Sequence, residues 1–257
     1  MRLTESGKFF HPKKNREHMH PKKIIAILCL ISLLSACSFG GIWSSPPIRA
    51  QVVGENGLPI KGAVVVGTWE AKKEFHHASL GYFEVQEVTT DESGWFTLPS
   101  FPPRYVRDTI LTTEPQLLII HPDYQPELLV NSFPGDPGQA PSVMKFYMQD
   151  RQIKLAPLRL HSYELRSAVL SVTLRLGFSY LGKSQTNSNF CVWERMPKFL
   201  VELEKLRVKL SNAGQNEEAG FITPLETAIS WGRTNCGDAT KILKEVNLSQ
   251  TSSPQDK

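Results

Sequence analysis

The chain lacks the apolar length of a membrane helix. Ile24 to Ala36 is thirteen mostly apolar residues, where a helix needs about twenty to cross roughly 30 Å of hydrocarbon, so this run suits a removable targeting core. Cysteine is scarce. The four present form no CxxC pair, which removes the usual signature of redox or structural-zinc chemistry. Histidine ends at His161, so nothing downstream can complete a histidine ligand set. No GxSxG elbow, local Cys-His signature or glycine-rich phosphate loop occurs. Net charge is also missing where it would matter. The first 36 residues hold seven Lys and Arg against two acids, while the residues after Cys37 hold 22 against 23. The basic balance therefore belongs to targeting and offers no argument for nucleic-acid binding.

What the leader does have is order. Lys22-Lys23 precede the apolar run, and Leu34-Ser35-Ala36-Cys37 close it. This tetrapeptide resembles the lipobox of bacterial lipoproteins. The resemblance implies cleavage before Cys37, acylation of that cysteine (palmitate among the chains) and attachment to membrane lipid. Ser38 follows, and by the same analogy favours the outer membrane, facing the periplasm, over the inner one. Residues 1–36 are thus read as signal peptide. Met19 opens a compact leader of ordinary length, so translation from Met1 or from Met19 remains open.

Cys29 falls inside the leader and Cys37 is the lipidation residue, which leaves Cys191 and Cys236 in the mature body. Outside the cytoplasm thiols oxidise, and a Cys191–Cys236 disulfide is the expectation, with two unlinked buried thiols as the alternative. Residues 37–47 are small residues and prolines with a few large apolar side chains. They read as a tether spanning about 18 Å as flexible chain, with Ile42 and Trp43 either at the lipid interface or packed on the body.

From residue 48 to 160 the pattern is strands and turns. Ile48 to Val53 and Tyr82 to Val88 alternate, Ala63 to Trp69 is β-branched, and Asn56-Gly57 and Asp91-Glu92-Ser93-Gly94 are turns. Trp95 to Leu98, Leu117 to Ile120, Glu127 to Val130, Val143 to Met148 and Gln152 to Leu160 add further short segments. Roughly eight strands of this kind indicate an antiparallel β-sandwich. Gln51 to Val66, Thr90 to Phe96 and Ile120-His121-Pro122-Asp123-Tyr124 stand in order, and together these blocks resemble the carboxypeptidase regulatory-like domain of the transthyretin-type sandwiches. The resemblance implies a fold, with Gly57, Pro59, Gly62 and Gly94 shaping turns and Asp91 accepting turn hydrogen bonds. It is nearly silent on activity. The Pro-Gly-rich stretch Asn131 to Ser142 departs from it as a long insertion.

Beyond His161 the period changes, giving a fold class of α+β, with the sandwich followed by a small helical domain at 161–248 and a loose tail at 249–257. Tyr163 to Tyr180 fits a helix with Leu165, Val169, Val172 and Leu176 on one face, although part of it also alternates. Pro197 to Leu210 is clearer: Phe199, Leu203, Leu206 and Leu210 form a stripe, opposite Lys198, Glu202, Lys205 and Lys209. Lys198 with Glu202 and Glu204 with Arg207 are the expected pairs. Thr223-Pro224-Leu225-Glu226 is a capping box, and Asp238 opens a last helix through Val246.

His161-Ser162-Tyr163-Glu164 matches the HxxE spacing of zinc carboxypeptidases, yet a catalytic zinc needs three protein ligands, and no histidine follows. His76-His77 are adjacent and on a strand would point to opposite faces; with Lys72-Lys73-Glu74 beside them they read as a solvated hairpin tip. In the resembling domains the block containing His121 is a structural turn, and the ring-hydrolase signature known in transthyretin-like folds is absent. The expectation is a protein without catalytic residues, metal or cofactor, not an enzyme: an envelope lipoprotein that binds or scaffolds a protein partner. The alternatives are an envelope hydrolase with a site between sandwich and helices, or a subunit of a secretion or assembly machine.

Overall fold

The computed structural model describes residues 40–73, 79–107, 109–111, 115–130, 149–176, 191–225 and 227. Ten strands come first: β1 (Gly40–Ser45), β2 (Ile48–Gly54), β3 (Val64–Lys73), β4 (Ser79–Thr89), β5 (Trp95–Leu98), β6 (Phe101–Arg107), β7 (Thr109–Leu111), β8 (Gln116–Ile120), β9 (Glu127–Val130) and β10 (Gln152–Leu155). Helices α1 (Tyr163–Leu176), α2 (Pro197–Asn212) and α3 (Asn216–Phe221) follow, with a 3-10 turn at Val192–Arg195. The class is mixed α+β with mostly antiparallel sheets. One pairing departs from the antiparallel expectation, since β10 lies parallel to β2.

The five-stranded sheet, ordered β4-β3-β8-β9 with β7 also on β3, has both faces covered. Along β3, Val65, Trp69 and Ala71 join Leu117 and Ile119 of β8 in a core shared with Ala50, Val52, Phe96, Leu98, Ile153 and Leu155 of the sheet β10-β2-β5. Val64 and Val66 join Leu118 and Ile120 in a second core with the helices. Double coverage explains why Val64 to Val66 and Leu117 to Ile120 read as unbroken apolar runs, because a strand with one wet face would alternate. Gly67 sits where a side chain would not fit: a Cβ there would stand 2.5 Å from Leu98 Cδ1 and 3.2 Å from the Trp69 ring.

The helix faces are those the spacing predicts. Leu165, Val169, Val172 and Leu176 of α1 and Phe199, Leu203, Leu206 and Leu210 of α2 are all buried. Their partner is the five-stranded sheet, so the helices share a core with the strands. Ser162 starts α1 by accepting the Leu165 N–H at 3.0 Å. On α2, Arg207 pairs with Glu204 as expected, while Glu202 meets Lys205 at 3.0 Å.

Several expectations change. Residues 40–45, part of the expected tether, instead form β1, paired antiparallel with β6, and neither β6 nor β7 is among the strands the sequence predicts. Trp43 is buried, while Ile42 is exposed. The strand expected over Gln152 to Leu160 stops at Leu155, because the segment then follows the turn beside it: Gln125 donates to the Ala156 carbonyl and Leu158 to that of Asp123. Val143 to Met148, the insertion at 131–142, residues 177–180, the Asp238 helix and the tail lie outside the described residues.

Candidate functional site

Of the residues singled out for chemistry, Cys37, Cys236, His76 and His77 lie outside the described residues. Cys191 is disulfide-bonded. It packs, half-buried, against the helical core and leads into the 3-10 turn at Val192–Arg195.

His121 begins the turn between β8 and β9. Its Nδ1 accepts the Asp123 N–H at 3.1 Å, and its ring meets Tyr124 edge-on at 5.2 Å. Lys209 of α2 donates to the Pro122 carbonyl at 2.9 Å, fastening turn to helix. Burial holds the His121 imidazole below its ordinary value, with the Asp123 charge, the Lys61 backbone and Glu202 acting the other way. Every one of these contacts positions the turn.

His161 takes a left-handed backbone, φ 61°, and both it and Glu164 are exposed. Beside His161 a cleft of about 510 Å³ runs between the start of α1 and α3, crossed by the Arg166–Glu217 ion pair. Among the described residues no group of three or more His, Cys, Asp and Glu could hold a metal ion.

A second cleft, about 520 Å³, lies where β4, β5 and the start of α2 meet. Asp91 builds its rim: one carboxylate oxygen accepts the N–H groups of Ser93 at 2.8 Å and Trp95 at 2.9 Å, as the resemblance implied. Thr90, buried beneath, donates to the Ile60 carbonyl at 2.7 Å and accepts the Ala63 N–H at 2.9 Å, joining this turn to the one before β3. Arg49 lies 4.1 Å over the Trp95 ring and pairs with Asp150 at 3.4 Å. Lys198 lines the same cleft from α2. Two cations, an aromatic face and several hydroxyls thus converge from three distant segments. No local spacing could have signalled that convergence, since Arg49 reads only as the outward residue of an alternating strand.

No family model matches the chain, and no curated protein matches it. Solved structures similar to it include 3-chlorocatechol 1,2-dioxygenase from Rhodococcus opacus 1CP, at 15% identity over 46% of this chain and 60% of that one, with a TM-score of 0.27. Catechol 1,2-dioxygenase from Pseudomonas arvilla C-1 matches at 12% identity over 56% and 71%, with a TM-score of 0.29. Chlorocatechol 1,2-dioxygenase from Pseudomonas putida matches at 12% identity over 46% and 61%, with a TM-score of 0.28. The chain spans less than two thirds of the two chlorocatechol enzymes. These neighbours are enzymes, so the expectation that the chain is not an enzyme does not stand. At such TM-scores the likeness assigns neither a fold nor an activity to this chain.

Proposed function

We propose that this chain is a membrane-anchored envelope lipoprotein that binds or scaffolds a protein partner. In this reading residues 1–36 are the signal peptide, Cys37 is acylated and inserted in lipid, and the protein faces the periplasm from the outer membrane. The observation that carries it is Leu34-Ser35-Ala36-Cys37 behind a short apolar core and Lys22-Lys23. The body is a carboxypeptidase regulatory-like, transthyretin-type sandwich with helices on its outer sheet. Support comes from the Asn56-Gly57, Asp91 and His121 turns, each hydrogen-bonded in the order of the resemblance. Cys236 is the proposed partner of Cys191.

Intact-mass analysis of membrane-extracted protein tests the anchor. The expected mature form starts at Cys37 and carries added acyl mass, Cys37→Ser leaves an uncut precursor, and Cys29→Ser changes nothing. A mature form starting elsewhere would overturn the reading. Multiple acyl chains, at about 0.8 kcal/mol per buried methylene, would hold the protein firmly where one short chain would not.

A second reading, an envelope enzyme, is favoured by the cleft in which Arg49 and Lys198 flank Trp95. Its polar groups come from both sheet and helix, the junction that the hydrolase alternative requires. Charge reversal at Arg49 and Lys198 separates the readings: loss of a co-purifying envelope partner favours scaffold, whereas loss of turnover with the partner retained favours enzyme.

A further inference from the structure

The ribbon of β1 and β6 has two unlike faces. Inward, Trp43 and Phe101 are buried in the core between the sheets. Phe101 meets Trp69 edge-on at 5.3 Å and Phe83 at 5.6 Å. Arg104 lies over the rings of Phe83 and Phe101 and pairs with the buried carboxylate of Glu84 at 2.7 Å. These contacts fix the ribbon to the body. Outward, Ile42 and Tyr105 stand directly opposite each other in register, 59% and 50% exposed, with exposed Pro102 and Pro103 beside them on β6.

We infer that this outward face is a second membrane contact, lying against the headgroups of the bilayer that holds the anchor. The inference rests on the lipid-anchor reading of Cys37. Only Ser38 and Phe39 stand between Cys37 and Gly40, and three residues of extended chain reach about 11 Å at most. An acylated Cys37 therefore delivers the first residues of β1 to the lipid surface. The side chains found there suit that position. Tyrosine presents an apolar ring and a polar tip, the combination enriched at membrane interfaces. Ile42 adds aliphatic area beside it.

The test uses acylated, full-length protein in vesicles of phosphatidylethanolamine and phosphatidylglycerol, with acyl mass at Cys37 recorded first. Spin labels are placed singly at Tyr105→Cys, Ile42→Cys and, as reference, Leu58→Cys, whose parent residue is 64% exposed on the turn after β2. The expected result is that labels at 42 and 105 lose collisions with a water-soluble nickel complex and gain collisions with oxygen, while the label at 58 keeps its aqueous profile. Acylated protein whose labels at 42 and 105 behave like that at 58 overturns the inference and leaves the anchor standing. Immersion of all three labels overturns it as well, because contact would then not be specific to this face. Absence of acyl mass overturns the anchor reading and the inference together.

Discussion

The carboxylate of Glu87, on β4, accepts the backbone N–H of Phe199 in the first turn of α2 at 2.7 Å, and that of Lys198 at 3.3 Å. Helix starts leave such donors without intrahelical partners, and the residue preceding α2, Met196, makes no side-chain cap. Glu87 fills the role across the sheet–helix interface. Its carboxylate also sits at the favourable end of the helix dipole. Glu204 repeats the device by accepting the Leu225 N–H at 3.1 Å where Thr223 and Pro224 lead into the next segment. Both caps come from outside the segment they serve.

Glu87→Ala should therefore cost about 1–2 kcal/mol, since it strips a cap and strands two donors. Glu87→Gln keeps an acceptor and should cost less. Their pH dependence separates cap from charge. Burial is the largest influence and raises the Glu87 carboxyl above its ordinary value of 4.5, against the opposing hydrogen bonds from Phe199 and Lys198. A carboxyl raised on folding contributes stability that is fully present below 4.5 and is lost as pH rises through its folded value. Urea unfolding across pH 4 to 8 should thus show the wild type losing ground to Glu87→Gln as pH increases. A constant gap between the two would show that burial of the charge has no energetic consequence.

His121 carries the opposite sign. Its imidazole is held below the ordinary 6.5, mainly by burial, and its Nδ1 must be unprotonated to accept the Asp123 N–H. The contribution is present above 6.5 and falls away as pH drops through the lowered value. His121→Asn, which can accept the same hydrogen bond without titrating, should flatten that acid limb of the stability curve. Unchanged acid sensitivity in the variant would place the titrating group elsewhere.

Two glycines should rank differently. Gly94 adopts φ 72°, and a Cβ there would stand 2.4 Å from the Val52 carbonyl oxygen, which is backbone. The turn is tied to β2 at the same place, the Val52 N–H donating to the Gly94 carbonyl at 2.8 Å. At Gly67 the conflict is with side chains, the end of Leu98 at 2.5 Å and the Trp69 ring at 3.2 Å, and a side-chain end yields more readily than backbone. Gly94→Ala should cost about 3 kcal/mol or more, combining backbone strain with displacement, and Gly67→Ala about 1–3 kcal/mol as overpacking. Thermal unfolding of both variants checks the order, and a reversed ranking would mean that the turn yields more easily than the core.

How much of this was legible in the sequence depended on whether the signal was local. Strands β2, β3, β5, β8 and β9 and helices α1 and α2 announce themselves through alternation, β-branched runs or a stripe, and their buried faces follow. Strands β1 and β6 do not. Gly40-Gly41 and Pro102-Pro103 disguise them as linker, because glycine and proline are poor strand formers except in a ribbon at the margin of a sheet. The external caps were equally silent, as nothing near Phe199 in the chain marks Glu87 as its acceptor. The cleft of Arg49, Trp95 and Lys198 was hidden for the same reason, each residue being unremarkable within its own segment.

The disulfide allows the sharpest test of connectivity. Cys191 is bonded, Cys29 lies in the proposed leader, and Cys37 would be blocked by acylation, which makes Cys236 its proposed partner. On the chain-entropy model a loop of that size is worth about 4 kcal/mol. If the two residues pair, Cys191→Ala, Cys236→Ala and the double variant should lose the same stability, since removing the second sulfur after the first removes nothing further. Alkylation mass mapping of unreduced protein should recover the two cysteines in one linked peptide. Two separately alkylated thiols would refute the bond itself, and a Cys236→Ala variant as stable as wild type, with Cys191 still protected from alkylation, would assign Cys191 another partner.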